Sequence, residues 1–421
     1  MRAPVLVLGI APLTPDGTPA PDAFDADIAA LMPPPDAPAA TRPWWRRALP
    51  TLLGFVGGGV IGVGVAMVGL PALDGLPRGA SIALLAGYFV SLWPHIVLHE
   101  AGHAAAGIAR GMQAIAFGVG PFRLERGSDG RWRWRHGGGI AGVGGFAALL
   151  PRDARGLSRR DQAVFLLGGP TANLATAALT AAAAAWLPMP TLLAVGLLGV
   201  ALAAATMGLG NLLPLHVQGW RSDGRGLLDL LRQAPDAALQ LQINQLMALS
   251  LAGVRARDWP KASMPAADAG GSSAGLRQTA QLLRLSRAID LRDRAAARAD
   301  ALALTAAFNG AAATWRASIA VNLAVHAALL VGDRGLIAAW RAHCEGGLLD
   351  LSPYRAWLDA EIAVHDGDPG AALSHLEQAA HLAPRIPDAA SRLVFDERLT
   401  ALRAEITTPA DNRVATVPAD A

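Results

Sequence analysis

Apolar positions are distributed unevenly along the chain. They crowd into residues 51–215, whereas residues 225–421 repeat apolar positions with the period of amphipathic helices. Four apolar runs stand out in the first stretch, at about 51–73, 81–108, 162–187 and 191–215. Each is long enough to cross a hydrocarbon core of about 30 Å as a helix. Gly54, Gly58 and Gly62 lie four apart on the first run and offer a face for close helix packing. Pro94 predicts a kink in the second run, and Pro188-Met189-Pro190 a tight connection between the third and fourth. Between the second and third runs, Phe117–Arg126 and Arg131–His136 flank Gly127-Ser128-Asp129-Gly130, a pattern that predicts a β-hairpin. Glycines follow at 137–139, 142, 144 and 145, suited either to close backbone approach to a substrate or to a flexible loop. No Lys-Ser/Thr follows them, so they are not a phosphate loop.

The predicted fold class is therefore mainly α: a polytopic membrane helix bundle of about four spans, a small β-hairpin loop, and a soluble α-helical C-terminal domain. Residues 1–41, with Pro33-Pro34-Pro35, read as a disordered tail; the short apolar run Ala3–Leu13 after Arg2 is a poor match to a signal peptide. Residues 42–230 form the membrane domain, entered through Trp44 and Trp45 beside Arg42, Arg46 and Arg47, residues typical of a membrane interface. Residues 231–275 are a helix and a Pro/Ala/Gly/Ser linker, and 276–406 the helical domain. Ala360–Pro384, turning at Gly367-Asp368, resembles a tetratricopeptide repeat unit. Residues 407–421 are a polar tail.

Composition agrees with this division. Of 421 residues 52% are hydrophobic and only 16% charged, against about 25% charged in soluble chains. The formal net charge is +3 and no basic stripe occurs, which argues against nucleic acid as a partner. The loop after the second run holds Arg110, Arg123, Arg126, Arg131, Arg133, Arg135, Arg152, Arg155, Arg159 and Arg160, while the opposite loops hold only Arg78. The positive-inside rule then puts both termini in the cytoplasm of a multi-pass integral membrane protein, with a bacterial inner membrane as the expected location. Cys344 is the single cysteine, which excludes an intrachain disulfide and a cysteine-based zinc site.

The chemistry is concentrated in His99-Glu100-Ala101-Gly102-His103, inside the second run. Residues four apart share a helix face, so both imidazoles can reach one metal ion. Glu100 projects beside them, positioned to accept a proton from an activated water. Two histidines completed by a carboxylate suit Zn2+, which lowers the pKa of a coordinated water from about 15.7 to about 7. A charge at the centre of a span costs about 2.5–3.5 kcal/mol on insertion scales, so this run carries a heavy load unless it serves a site. Polar glue between helices is the bland alternative, which serine or asparagine would supply at lower cost.

A third ligand is sought among acids near the cytoplasmic end of another span. Asp223, in Ser222-Asp223-Gly224, is preferred, with Gly224 letting the backbone bend to aim the carboxylate. Asp229 is the fallback, and His216 is either a site residue or an interfacial polar residue. Asp74 falls on the outer side by the charge rule. His95 either lines the site or hydrogen-bonds within the bundle, and the histidines from His326 onward read as solvated surface.

These motifs resemble the site-2 protease (M50-type) family of integral-membrane zinc metalloproteases. The resemblance rests on HExxH within a span, Gly169-Pro170-Thr171-Ala172-Asn173 at the start of the third, and Asn211-x-x-Pro214 leading to Asp223-Gly224; it covers roughly residues 80–230. It implies Glu100 as general base, His99, His103 and Asp223 as zinc ligands, Asn173 and Asn211 as substrate-binding residues near the site, and a hairpin that positions substrate. The implied partners are a membrane protein or peptide substrate and the lipid bilayer, with a possible protein partner of the C-terminal domain. The family usually reads Leu-Asp-Gly, closer to the Asn-x-x-Pro; here Ser222 replaces the leucine and His216–Arg221 lengthen the connection. Two rivals differ in kind. One is a membrane protease resembling the prenyl-protein-processing type, with a distant glutamate ligand such as Glu345 or Glu361. The other is a catalytically silent scaffold whose helical domain recruits partners.

Overall fold

The computed structural model describes residues 28–35, 75–136, 144–152, 156–217, 220–267, 270–347 and 349–407. The first apolar run with its three glycines, the Trp44–Arg47 segment, Asp74, the glycines at 137–139 and 142, the side chain of His216 and the tail from 408 lie outside them.

Three long helices form the apolar part: α1 (Ala80–Ala109), α2 (Arg159–Trp186) and α3 (Thr191–Leu212). All three are long and apolar enough to cross a membrane. α1 continues through Pro94. The burial of these helices is inverted relative to a soluble bundle. Ile82, Phe89, Val90, Leu179 and Trp186 are exposed, while Ser91, His95, His99, Glu100, His103 and Asn173 are buried. In water such a surface would be a large unpartnered apolar belt; facing lipid it is the expected arrangement. The chain is a membrane protein.

A four-stranded antiparallel sheet packs against α1 in the order β3-β2-β1-β4. Its strands are β1 (Met112–Val119), β2 (Phe122–Arg126), β3 (Trp132–His136) and β4 (Gly145–Pro151). β2 and β3 are the hairpin, turning where the Asp-Gly signal predicts. Phe117, expected in its first arm, belongs instead to β1, because the chain reverses at Gly120 (φ +57°) and Pro121. The β1–β4 pairing shifts register between Ala114 and Ala116, an irregularity that bends the sheet.

After α3 come a short ribbon, β5 (His216–Val217) and β6 (Trp220–Arg221), then α4 (Asp223–Leu231) and α5 (Pro235–Leu251). The C-terminal domain continues with α6 (Ala274–Asp290), α7 (Arg294–Ala307), α8 (Ala313–His326, ending in a π turn to Val331) and α9 (Arg334–Arg341), followed by α10 (Ser352–His365), α11 (Pro369–Leu382) and α12 (Ala389–Thr407). α10 and α11 turn at Asp366–Asp368, where Gly367 adopts φ +74°. One core runs through these helices, with Trp340, Trp357 and Phe395 almost fully enclosed.

Two departures from expectation concern this domain. Residues 28–35, inside the stretch read as a disordered tail, are seated on it: Leu31 is only 4% exposed and belongs to its core. His326, read as solvated surface, is 3% exposed at the end of α8. The domain also docks on the hairpin: Arg123 Nη1 donates to the Gly347 carbonyl (2.9 Å), the Asp350 amide to Glu125 Oε2 (3.0 Å), and the Ser128 amide to the Ile386 carbonyl (2.8 Å).

Candidate metal centre

Small residues let the three long helices approach closely enough to build a site. Gly102 of α1 faces Gly168 of α2 so tightly that a methyl group on either would overlap the other's carbonyl. One residue on, a methyl group on Gly169 would stand 2.5 Å from His103 Nε2 and 2.7 Å from His99 Nε2. The α2 backbone is therefore the wall behind both imidazoles, and only glycine leaves room for them.

The two imidazoles are held by partners that fix which nitrogen faces inward. His103 Nδ1 lies 2.7 Å from the Phe165 carbonyl. A carbonyl only accepts, so Nδ1 carries the proton and Nε2 keeps its lone pair. His99 Nδ1 is 3.3 Å from the Asn173 amide, drawn with Nδ2 toward the ring and Oδ1 buried without a partner. Rotating that amide by half a turn lets Oδ1 accept from His99 Nδ1–H, giving the buried oxygen a partner and freeing the His99 Nε2 lone pair as well.

Both Nε2 atoms converge on one carboxylate. His99 Nε2 is 3.1 Å from Asp223 Oδ2, His103 Nε2 is 3.4 Å from Asp223 Oδ1, and the two nitrogens are 3.1 Å apart. With every donor atom within 4.8 Å of the others, the three residues form a group that can hold a metal ion.

Asp223 is aimed by the start of α4. Ser222 caps that helix, its Oγ accepting from the Arg225 amide (3.2 Å), and also ties back to the Leu213 carbonyl and the Leu215 amide. Gly224 is helical and does not bend the backbone as expected; its missing side chain lets α4 press against the Leu212 carbonyl. Asp229, the fallback ligand, is committed elsewhere: it accepts from Arg225 Nε (2.9 Å) and Arg221 Nη1 (3.3 Å). Glu345 and Glu361 lie in the C-terminal domain, Glu345 beside Arg341 and Arg355, and neither joins the triad.

Glu100 lines a cavity of about 760 Å³ that opens beside the triad. The cavity is bounded by β4 and by residues of α2, α4 and α5, with Asn211, Gln162, Gln240 and Asn244 among its polar groups. The Ala147 amide of β4 donates to the Glu100 carboxylate. Asn211, expected to contact substrate, does line the cavity and donates to the Met207 carbonyl (3.1 Å). Asn173, expected near the site as a substrate contact, is fully buried against His99 Nδ1 and is not among the residues that line the cavity. His95 is buried one turn before His99, with the Val200 backbone of α3 against its ring.

Reading the sequence alone missed β4 and the Arg221–Asp229–Arg225 cluster. Ser222 directly before an acidic residue and an apolar run was a legible capping signal. Nothing local marks Arg221, whose partners are eight or more residues away. The chain is thus a membrane protein with a candidate metal-binding triad between its apolar helices. No family, curated protein or solved structure matches it.

Proposed function

We propose that this chain is an intramembrane zinc metalloprotease of the site-2 type, hydrolysing peptide bonds of membrane-associated substrates. The observation that carries the reading is the convergence of His99, His103 and Asp223 beside a buried glutamate that lines a cavity. Donor separations of 3.1–3.4 Å match the edge of a tetrahedron, about 3.3 Å, for zinc bonds of about 2.0–2.1 Å. When bound, zinc supplies Lewis acidity and brings the pKa of a coordinated water to about 7. Glu100 takes the proton of the attacking water and passes it to the departing amide nitrogen. Asn173 and the Phe165 carbonyl keep both imidazoles in the ligating tautomer throughout.

A helical substrate hides its backbone, so cleavage requires an extended segment. β4 is an outer strand of the sheet and adjoins Glu100 through Ala147, so its outer edge, unpaired with any other described strand, suits strand addition better than the hairpin, which lies beyond β1. Four crossings with both termini cytoplasmic fit the contact between residues 28–35 and the C-terminal domain. Two segments on one side of a bilayer are joined by an even number of crossings; the candidate spans among the described residues number three, and the apolar run at 51–73, outside those residues, is long enough in sequence for a fourth. The C-terminal domain, tetratricopeptide-like in its α10–α11 hairpin, is read as a cytoplasmic adaptor resting on the sheet.

The test is cleavage of a tagged single-span substrate by the purified chain in lipid nanodiscs. Wild type should cut, Glu100→Gln should lose about 10²-fold or more, and chelation should abolish activity that zinc restores. A zinc-loaded wild type that cuts neither rigid nor helix-destabilised substrates would favour the silent scaffold instead.

A further inference from the structure

The C-terminal domain carries a binding site that is already filled by the chain itself. Residues 28–32 make a single helical turn, with the Leu31 amide bonded to the Ile28 carbonyl (2.9 Å) and the Met32 amide to the Ala29 carbonyl (3.3 Å). Leu31 is buried in the domain core and Ile28 packs against it. The turn continues into Pro33-Pro34-Pro35.

Two side chains of the domain read the backbone of this segment. Trp340 Nε1 donates to the Leu31 carbonyl (2.8 Å), and Asn309 Nδ2 donates to the Pro35 carbonyl (3.0 Å). With the segment seated Trp340 is 1% exposed, so its indole N–H is satisfied by the segment's carbonyl and not by solvent. A fully buried donor satisfied from 309 residues away is a built recognition group and not an incidental surface contact. Its neighbours are pre-set: Phe308 packs edge-on against both Trp340 (5.1 Å) and His343 (5.4 Å), and Arg316 Nη2 donates to the Asn309 carbonyl (2.8 Å).

We propose that this groove, walled by Phe308, Asn309 and Trp340, is a recognition site for an apolar helical turn followed by prolines, and that residues 28–35 of the same chain are its resident ligand. The segment repeats the two elements the groove reads, apolar anchors at Ile28 and Leu31 and then backbone carbonyls presented by a stiff proline run. The segment is covalently part of the chain whose domain it occupies, so it competes with any free ligand intramolecularly. A cytoplasmic protein bearing such a motif would gain the site only by displacing the segment.

The test uses the full chain in detergent and a fluorescent synthetic peptide with the sequence of residues 24–38. The peptide should bind the Leu31→Asp variant, whose own segment no longer seats, and bind wild type at least tenfold more weakly. Equal binding to both, or binding to neither, overturns the proposal. Because Leu31→Asp also alters the domain core, a second measurement leaves the anchors Ile28 and Leu31 and the Trp340 donor in place and gives up only the Asn309–Pro35 hydrogen bond. A Pro35→Cys/Asn309→Cys chain is treated with a short bis-maleimide; Cys344, buried and with its thiol pushed up to about 12, stays unreactive. A cross-linked monomer is expected. A cross-linked dimer, or no cross-link, overturns the assignment of the segment to its own chain.

Discussion

His99 and Asp223 are 124 residues apart in sequence and 3.1 Å apart in space. Between them in sequence lie two long apolar helices and a four-stranded sheet. Metal analysis of the purified protein should find about one zinc per chain, lost in His99→Ala and His103→Ala and strongly reduced in Asp223→Ala. Asp229→Asn should keep its zinc while losing about 1–3 kcal/mol of stability, because two arginines lose their shared carboxylate. Zinc retained by Asp223→Ala but lost from Asp229→Asn would reverse the assignment.

Asn173 tests whether the metal site depends on residues behind it. Asn173→Ala removes the acceptor for His99 Nδ1–H without touching the cavity. Zinc affinity, measured by competition with a chromogenic chelator, should fall about 10–100-fold. The Michaelis constant for substrate should hardly change once zinc is saturating. A raised Michaelis constant with unchanged zinc affinity would instead make Asn173 a substrate contact.

The sequence reveals the site more readily than its surroundings, for a physical reason. Ionisable groups are costly in an apolar run, so His99, Glu100 and His103 stand out, and Asp223 follows from the need for a third ligand near a span end. β4 (Gly145–Pro151) is uniformly apolar and has no alternating pattern, so it resembles any buried segment. Residues 28–35 hold only two apolar anchors beside prolines, too short for any periodicity, and their partner is supplied by Trp340 at the far end of the chain. His326 reads as surface because it continues the polar stripe Thr314, Ser318 and Asn322, four residues apart, but at Asn322 that stripe faces a neighbouring helix, where Asn322 Oδ1 accepts from Ser286 Oγ (3.3 Å).

Gly169 offers a steric test that leaves every ligand in place. Gly169→Ala forces a methyl group to within 2.7 Å of both His99 and His103, so the helices must separate or the imidazoles turn. Activity should fall about 10²-fold, the usual effect of displacing catalytic groups by about 1 Å. Gly210→Ala, on α3 with nothing near the added methyl, should be tolerated and helix-favouring by up to about 1 kcal/mol. Equal loss in both variants would point to general helix disruption.

Topology is open to direct measurement. Reporter fusions after residues 40, 77, 188 and 407 should read cytoplasmic, outer, outer and cytoplasmic, as four crossings require. An outer location for residue 40 would be incompatible with its neighbours at 28–35 resting on the same chain's C-terminal domain.

His326 gives the C-terminal domain a pH-dependent stability of definite sign. Burial, with Arg298 nearby, lowers its pKa from 6.5 to about 4. The folded state therefore takes up this proton less readily than the unfolded state. The associated stability is fully present above about pH 6.5 and is lost as pH falls toward 4, reaching about 3 kcal/mol. Chemical denaturation of the full chain, followed through the enclosed tryptophans Trp340 and Trp357, should show this loss between pH 6.5 and 4. Leu is close in volume and carries no proton, so His326→Leu should flatten that part of the profile while preserving stability near pH 7. An unchanged slope in the variant would assign the acid sensitivity to carboxylates whose pKa values are lowered by arginine partners, such as Asp290 beside Arg255, and those act mainly below about pH 4.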